Sequence, residues 1–377
     1  MARERAHKTV VYQPVKLDRT GLAAAAFGRF RKEFPTLFKE SSAYQLLRAE
    51  EDLGDHISAL QESLATGSPA LFLDYVRHAC IFFAFRHLPH QYFLDGLSVL
   101  REEIKQNLAG EIRDNAVKFL KKGIAAAQSI PSAPPSCIDD EDPLAAIASS
   151  YFEALAGADR KRAEKIIADA IASGVPVKDL YLHVFVPVLR ETGRRWLIQE
   201  LSVAEEHYIT ASVSAEITHL HDRFVADNRP ASPGGKTVIV ASAEGDLHEI
   251  GIRMIADFFE FDGWNTYYIG PNTPALSLLR AARDRKADVI ALSCTMPSFL
   301  SKVHYLIRSL RADPGTAQTK IIVGGHPFAV DPGLWKQLGA DACARDAADA
   351  VAAAHRLTGT LPRFMAARVR SSGPRVH

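Results

Sequence analysis

The sequence predicts a multidomain chain of α and α/β class, helical through its first 227 residues and built on a parallel sheet beyond them. Three observations carry that expectation. Apolar residues recur at helical spacing through most of the first 227 positions. Past residue 236 the pattern changes to short β-rich runs, "TVIVAS" (237–242), "NTYYIG" (265–270), "DVIALSC" (288–294) and "KIIVGG" (320–325). Between helical segments stand two breaks, "SIPSAPPSCIDDEDP" (129–143) and "NRPASPGGK" (228–236), whose prolines, glycines and acidic run read as linkers.

Taken in order, residues 1–128 form a helical domain. Ser42 to Leu64 is one long amphipathic helix, and Ser68-Pro69 is an N-cap with proline at the first helical position. Leu71, Phe72, Tyr75, Val76, Ala79, Phe82 and Phe83 then recur at helical spacing until "RHLPH" (86–90) stops the helix. A new helix carries Phe93, Leu97, Leu100 and Ile104. After the 129–142 linker, residues 143–228 have the length and patterning of a four-helix bundle, with Leu155, Ile166, Ile167, Ala170 and Ile171 on one apolar face. In 236–358 the first three β-runs are each followed by a helical stretch (249–261, 274–286, 298–312), the alternation of a doubly wound, Rossmann-like parallel sheet. The tail, 359–377, has no sustained pattern and reads as loosely ordered.

Composition narrows the function classes. At 47% hydrophobic and 24% charged the chain can bury real cores, and a net charge of +1 argues against a broad nucleic-acid surface. No apolar run approaches the ~20 residues of a membrane helix. The start, "MARERAHKTVVY", lacks a signal-peptide apolar region. Cys80, Cys137, Cys294 and Cys343 form no C-x-x-C pair. A cytoplasmic protein is expected.

In such sheets ligands sit beyond the carboxyl ends of the strands, and "EGDLHEIG" after the first strand, "SCTMPS" after the third and "GGHP" after the fourth all lie there. His248 is a candidate metal ligand, since one ring nitrogen can face a metal while Asp246, two residues earlier, accepts from the other. Gly251 lets the backbone approach a bulky ligand. Alone, D-x-H-x-x-G matches many helix starts. Here forty-one residues separate Gly251 from Ser293, and twenty-eight separate Thr295 from Gly324-Gly325.

The set D-x-H-x-x-G, S-x-T, G-G at these spacings resembles the B12-binding domain shared by cobalamin-dependent methionine synthases, corrinoid methyl carriers and base-off mutases. The resemblance implies a cobalamin whose own base is detached and buried in the sheet domain. His248 would be the lower cobalt ligand, Asp246 and Ser293 its hydrogen-bond relay. Thr295, Gly324 and Gly325 would line the channel for the cofactor's tail.

In 143–228, Trp196, nine intervening residues, then Glu206-His207 resembles the W-x9-E-H cap of CarH-type light sensors, with Val203 as the small apolar contact. This implies adenosylcobalamin, its adenosyl group under Trp196 and its ribose near Glu206 and His207. The position directly after the tryptophan, a cobalt-capturing histidine in the DNA-binding members, is Leu197 here, and no winged-helix domain accompanies the cap.

Residues 20–128 resemble a sensor-globin or phycobiliprotein-type domain, and a globin-like domain joined to a CarH-type module is the arrangement of the photocobilins. That resemblance implies biliverdin, held noncovalently near Tyr75, Arg77, Phe82, Arg86, His87 and His90. A haem bound by His87 or His90, or a plain helical dimerisation domain, are the alternatives there. The function expected first is a non-enzymatic photoreceptor, binding small tetrapyrroles, in which loss of the adenosyl group rearranges domains or a light-dependent homo-oligomer, a dimer in the simplest case. The alternative is a corrinoid methyl carrier serving a methyltransferase, with an open upper face.

Overall fold

The computed structural model describes residues 12–86, 88–129, 132–227 and 235–361, and in 225–227 the backbone alone. His87 and most of the 228–236 linker and of the 359–377 tail lie outside the described residues. The chain divides into two compact units. The first contains everything up to Ala133 together with Met296–His304 and His326–Gly339; the second contains Pro134–Thr295, Tyr305–Gly325 and the chain from Ala340 on.

Helices α1 (Arg19–Glu33), α2 (Ala43–Ala65), α3 (Pro69–Phe85), α4 (His90–Asn107) and α5 (Gly110–Ala126) build the first unit. Helix α2 starts at a complete capping box, Ser42 accepting from the Gln45 amide while the Gln45 side chain accepts from Ser42 N. Helix α3 begins on Pro69, whose missing N–H costs nothing at that position. Their apolar stripes meet in a core of Phe30, Ile57, Leu60, Phe72, Val76, Phe93, Leu97 and Leu120. Helix α5 comes so close to α3 at Gly123 that a Cβ there would stand 2.9 Å from the Phe72 ring. Five such helices among the described residues make a helical domain, where a globin has eight.

In the second unit the cap is formed by α6 (Ala145–Ala156), α7 (Arg160–Ala172), α8 (Val177–Leu180), α9 (Val186–Leu197) and α10 (Val203–Asp227). A single π-turn, Tyr181–Phe185, joins α8 to α9. Part of the expected linker is ordered against this bundle. The buried Glu191 carboxylate accepts from Arg194 Nη2 at 2.6 Å, from Arg195 Nε at 3.0 Å and from the Cys137 amide at 2.9 Å. Arg194 also donates to the Pro134 carbonyl, and His183 pairs with Asp142. Prolines rule out helix here, but a chain without helix can still be tied down by side chains.

The sheet holds β1 (Thr237–Ser242), β2 (Asn265–Gly270), β3 (Val289–Ser293), β4 (Lys320–Gly324) and β5 (Ala342–Ala344) in the order β2-β1-β3-β4-β5, all parallel. Helices α11 (Ile250–Phe261), α12 (Ala275–Asp284), α13 (Leu300–Ala312) and α16 (Ala347–Thr358) accompany the strands, while α14 (His326–Val330) and α15 (Leu334–Leu338), like the start of α13, fall in the first unit. The β-rich runs become β1 to β4 within a residue at each end. Strand β5 escaped the sequence reading because Ala-Cys-Ala is three residues long and carries no β-branched side chain. The order reverses direction at β1/β3, the place where open parallel sheets leave a crevice for ligands.

Cap and sheet domain share one core. The Tyr181 hydroxyl, aimed from the π-turn, lies 3.0 Å from Asp257 Oδ2 on α11, and His221 Nε2 on α10 lies 2.8 Å from Glu260. The rings of Phe224 and Phe261 pack 4.1 Å apart between centroids. These contacts sit at the end of α11 remote from residue 248.

Glu191 sets an acid limit. Burial pushes its pKa up, but hydrogen bonds from Arg194, Cys137 N and Arg195 outweigh burial and hold it at about 2. A depressed pKa contributes stability above the unfolded value of about 4.3 and loses it as pH falls through the folded one. Glu191→Gln is expected to cost about 3 kcal/mol at neutral pH in urea unfolding. Between pH ~4.3 and ~2 the variant is expected to lose less further stability than the parent.

Candidate functional site

The site is built around a carboxylate sealed from solvent. Asp246, fully buried, lies in the loop between β1 and α11. Its Oδ1 accepts from His248 N at 3.1 Å and faces His248 Nδ1 at 2.8 Å. The neighbouring strand end supplies the other donors: Thr295 N reaches Oδ2 at 2.7 Å and Thr295 Oγ1 lies 2.8 Å from both oxygens. The same hydroxyl is 2.7 Å from His248 Nδ1. Burial pushes the Asp246 pKa up, but these hydrogen bonds outweigh it and hold the carboxyl below its ordinary range. The hydrogen bond to Asp246 pushes the His248 pKa up, as do the charges of Asp246 and of Glu206 on the cap.

An ionised carboxylate only accepts, so Nδ1 of His248 carries the proton and Nε2 is left with its lone pair. No described residue hydrogen-bonds Nε2, and the side chain is 64% exposed. The donor chemistry fits a metal held through one imidazole whose other nitrogen is fixed by a carboxylate.

The loop is held from below by residues the sequence reading did not single out. Ser242 Oγ donates to the Asp246 carbonyl at 2.9 Å and accepts from Asn272 N at 3.0 Å. The Asn272 side chain accepts from Gly245 N at 2.8 Å, and its own φ is +50°. The signal was present in "GPNTP", since Asn tolerates that left-handed backbone and caps turns with its side chain.

The remaining expected residues fall as follows. Thr295, placed in the tail channel on sequence, makes the relay contacts expected of Ser293. Ser293 is buried, pairs through its backbone with Ser242 and Gly324, and its hydroxyl makes no hydrogen bond among the described residues. Side chains alternate along a strand, so Ser293 and Thr295 share a face only while the strand is regular, and β3 ends between them. At Gly251 a Cβ would meet nothing within 4 Å. The glycine pair is crowded by backbone instead: a Cβ on Gly325, whose φ is +111°, would lie 2.0 Å from the Cys294 carbonyl oxygen, and one on Gly324 2.9 Å from that of Ala344.

On the cap, Trp196 is half-buried in the last turn of α9. Val203, at the start of α10, is 55% exposed, and His207 is 75% exposed and paired with Glu206. Thr210 Oγ1 donates to the other Glu206 oxygen at 2.9 Å. Leu197 is buried.

Of the residues expected to hold a bilin, His87 lies outside the described residues and the others are placed as follows. The Tyr75 hydroxyl lies 2.6 Å from Nδ1 of the buried His56, while Arg77 is exposed on the same helix. Arg86 stacks over Phe82 at 3.5 Å from the ring centre, and His90 Nδ1 lies 3.8 Å from Cys80 Sγ. The cavity lined by Phe30, His56, Phe83, Tyr92 and Phe93 measures about 10 Å³, far below the ~300 Å³ of a small ligand pocket.

Comparison with known proteins bears on this site directly. Residues 236–355 and 147–221 each match a family model described as a B12 binding domain, so the chain carries B12-binding domains and a corrinoid is its cofactor class. Dimethylamine corrinoid protein 1 of Methanosarcina acetivorans is 28% identical over 173 residues, 46% of this chain and 76% of that protein. Trimethylamine corrinoid protein 1 of Methanosarcina mazei is 24% identical over 200 residues, 53% and 91% respectively. The structure of the Methanosarcina barkeri monomethylamine corrinoid protein shares the fold at a TM-score of 0.50 and 20% identity, covering 57% of this chain and 99% of that one.

These relatives overturn the light-sensing expectation, and nothing in them supports the adenosyl ligand. Trp196, Glu206 and His207 all lie inside the 147–221 match to a B12 binding domain, whose description names no light-sensing role, and so short a pattern does not single out an adenosyl ligand. Biliverdin has no support in the relatives either.

Asp246→Asn removes the largest cause of the raised His248 pKa. Ring-proton NMR of the cofactor-free protein is expected to show His248 titrating above the ordinary ~6.5 in the parent and lower in the variant. A raised pKa contributes stability below ~6.5 and loses it as pH rises through the folded value, so the parent's advantage over the variant from this group is largest in mild acid.

Proposed function

We propose that this chain is a corrinoid methyl carrier that serves a methyltransferase. The single observation that carries the reading is the Asp246–His248–Thr295 arrangement, with Nε2 of His248 unpaired at the carboxyl end of β1, in a domain of the B12-binding kind. The names of the methylamine corrinoid relatives support the same direction. Bound there, the corrinoid supplies a cobalt centre that takes up a methyl group and gives it away.

The chain's own residues then divide the work. His248 would hold the cobalt through Nε2, and Asp246 with Thr295 holds its ring in one orientation and tautomer. The hydrogen bond to Asp246 keeps the proton on Nδ1 and raises the basicity of the ring, so Nε2 would be the nitrogen offered to a metal. Gly251, with open space at its Cα, and Ser293, Gly324 and Gly325 at the strand ends border the path for the cofactor's tail. Trp196 is the flat wall above the corrin, and Val203, Glu206 and His207 form a rim that a partner enzyme can reach.

The carrier reading assigns no role to the residues expected to bind a bilin. Among the described residues no helix is long and apolar enough to cross a membrane.

Hydroxocobalamin is expected to co-elute with the chain in gel filtration, and His248→Ala to retain less of it, with a shifted visible spectrum. Loaded with methylcobalamin, the protein is expected to methylate a thiol acceptor faster than free methylcobalamin does. Equal rates would overturn the carrier reading.

A further inference from the structure

The helical domain has no part in the site just described, and residues 12–129 lie outside both B12-domain matches. Yet the first unit is not made of these residues alone. It includes Met296–His304, which begins at the peptide bond after Thr295, and His326–Gly339, which begins directly after Gly325. Both strand ends that carry site residues therefore run, without one residue between, into segments packed on the helical domain.

The grip on each is specific. Glu62 of α2, 4% exposed, accepts from the Tyr12 hydroxyl at 3.1 Å and from the side chain and backbone of Ser301, in the first turn of α13. A carboxyl there caps the helix start and faces its positive end. Burial pushes the Glu62 pKa up to about 7, and the groups that oppose this, Tyr12, Ser301 and Gln61, are all neutral donors. The Tyr12 ring packs on His304, 4.4 Å between centroids. On α3, Asp74 Oδ2 lies 2.7 Å from Nε2 of His326, the residue after the glycine pair.

A buried carboxyl with no cation beside it among the described residues is an expensive way to pack two helices, and an apolar pair would serve better if packing were all. The two anchored segments are also mechanically joined. Gly325 lies so close to Cys294 that a single added carbon would collide with its carbonyl, so the ends of β3 and β4 shift together in a close-packed interior. A displacement passed back along 296–301 acts on Thr295, whose amide and hydroxyl hold Asp246 at 2.7 and 2.8 Å.

We propose that residues 12–129 form an input domain for the corrinoid site, with Glu62 and Asp74 as positioning residues that fix the segments leaving β3 and β4. Corrinoid loading and the state of α2 and α3 are then coupled. The coupling is reciprocal: whatever perturbs α2 and α3 changes corrinoid affinity, and corrinoid binding changes α2 and α3. This rests on the corrinoid reading given above.

The test uses the full chain, hydroxocobalamin, and the variants Glu62→Gln and Asp74→Ala, neither of which touches the corrinoid residues. Glu62→Gln keeps the side-chain shape, and Asp74→Ala removes a partly exposed group, so at least one folded variant is expected. On loading, hydrogen exchange in residues 43–85 of the parent is expected to slow. In the variants the dissociation constant for hydroxocobalamin is expected to rise about fivefold or more, the lower end of typical coupling. Folded variants with the parent's affinity, together with unchanged exchange in 43–85, overturn the proposal. So does a lowered Tm with unchanged affinity, which marks the two as packing residues. Failure of the parent to bind hydroxocobalamin at all defeats the corrinoid reading itself, and the proposal with it.

Discussion

Everything at the strand ends depends on where one negative charge is kept. Asp246 has no access to water, and a carboxylate without water survives only if donors surround it. Two of its donors are backbone amides, His248 N and Thr295 N, which places them beyond the reach of side-chain substitution. The other two, the imidazole and the threonine hydroxyl, are drawn in by the same need. His248 is therefore oriented by an electrostatic demand that exists before any cofactor arrives. The cost of ordering the ligand is met during folding, and binding is spared it.

The two ends of α11 do different work. Its first turn follows His248 and faces the charge of Glu206, while its last turns carry Asp257, Glu260 and Phe261, to which Tyr181, His221 and Phe224 of the cap are fastened. Cap and sheet domain are thus fastened to one another through the last turns of α11.

Much of the architecture could be read from residue order. Strands β1 to β4 announced themselves because parallel strands buried on both faces are continuous apolar runs, and the helix starts at Ser42 and Pro69 because capping chemistry is local. The D-x-H-x-x-G loop was legible for the same reason: its partner acid is two residues away. What escaped was nonlocal. That Thr295 rather than Ser293 meets Asp246 depends on where β3 stops, and Asn272 matters only because the chain returns beneath the loop. The cap motif misled for a different reason. A tryptophan, a glutamate and a histidine report that something flat is covered, and the distinction between a light-cleaved ligand and a transferable methyl group lies in how open the cover is, which spacing does not encode.

The discontinuity of the first unit has a consequence for how the protein comes into being. Its helices leave the ribosome first, but Glu62 waits for Ser301 and Asp74 for His326, a separation of 252 residues in the second case. Asp246 likewise waits 49 residues for Thr295. Contacts so distant in sequence are slow to form, and the domain made first is among the last to be finished. Until Thr295 has been made, Asp246 lacks that residue's amide and hydroxyl donors, and until His326 has been made Asp74 lacks its partner. A corrinoid site built on these residues would be complete only once the chain past Gly325 has been made.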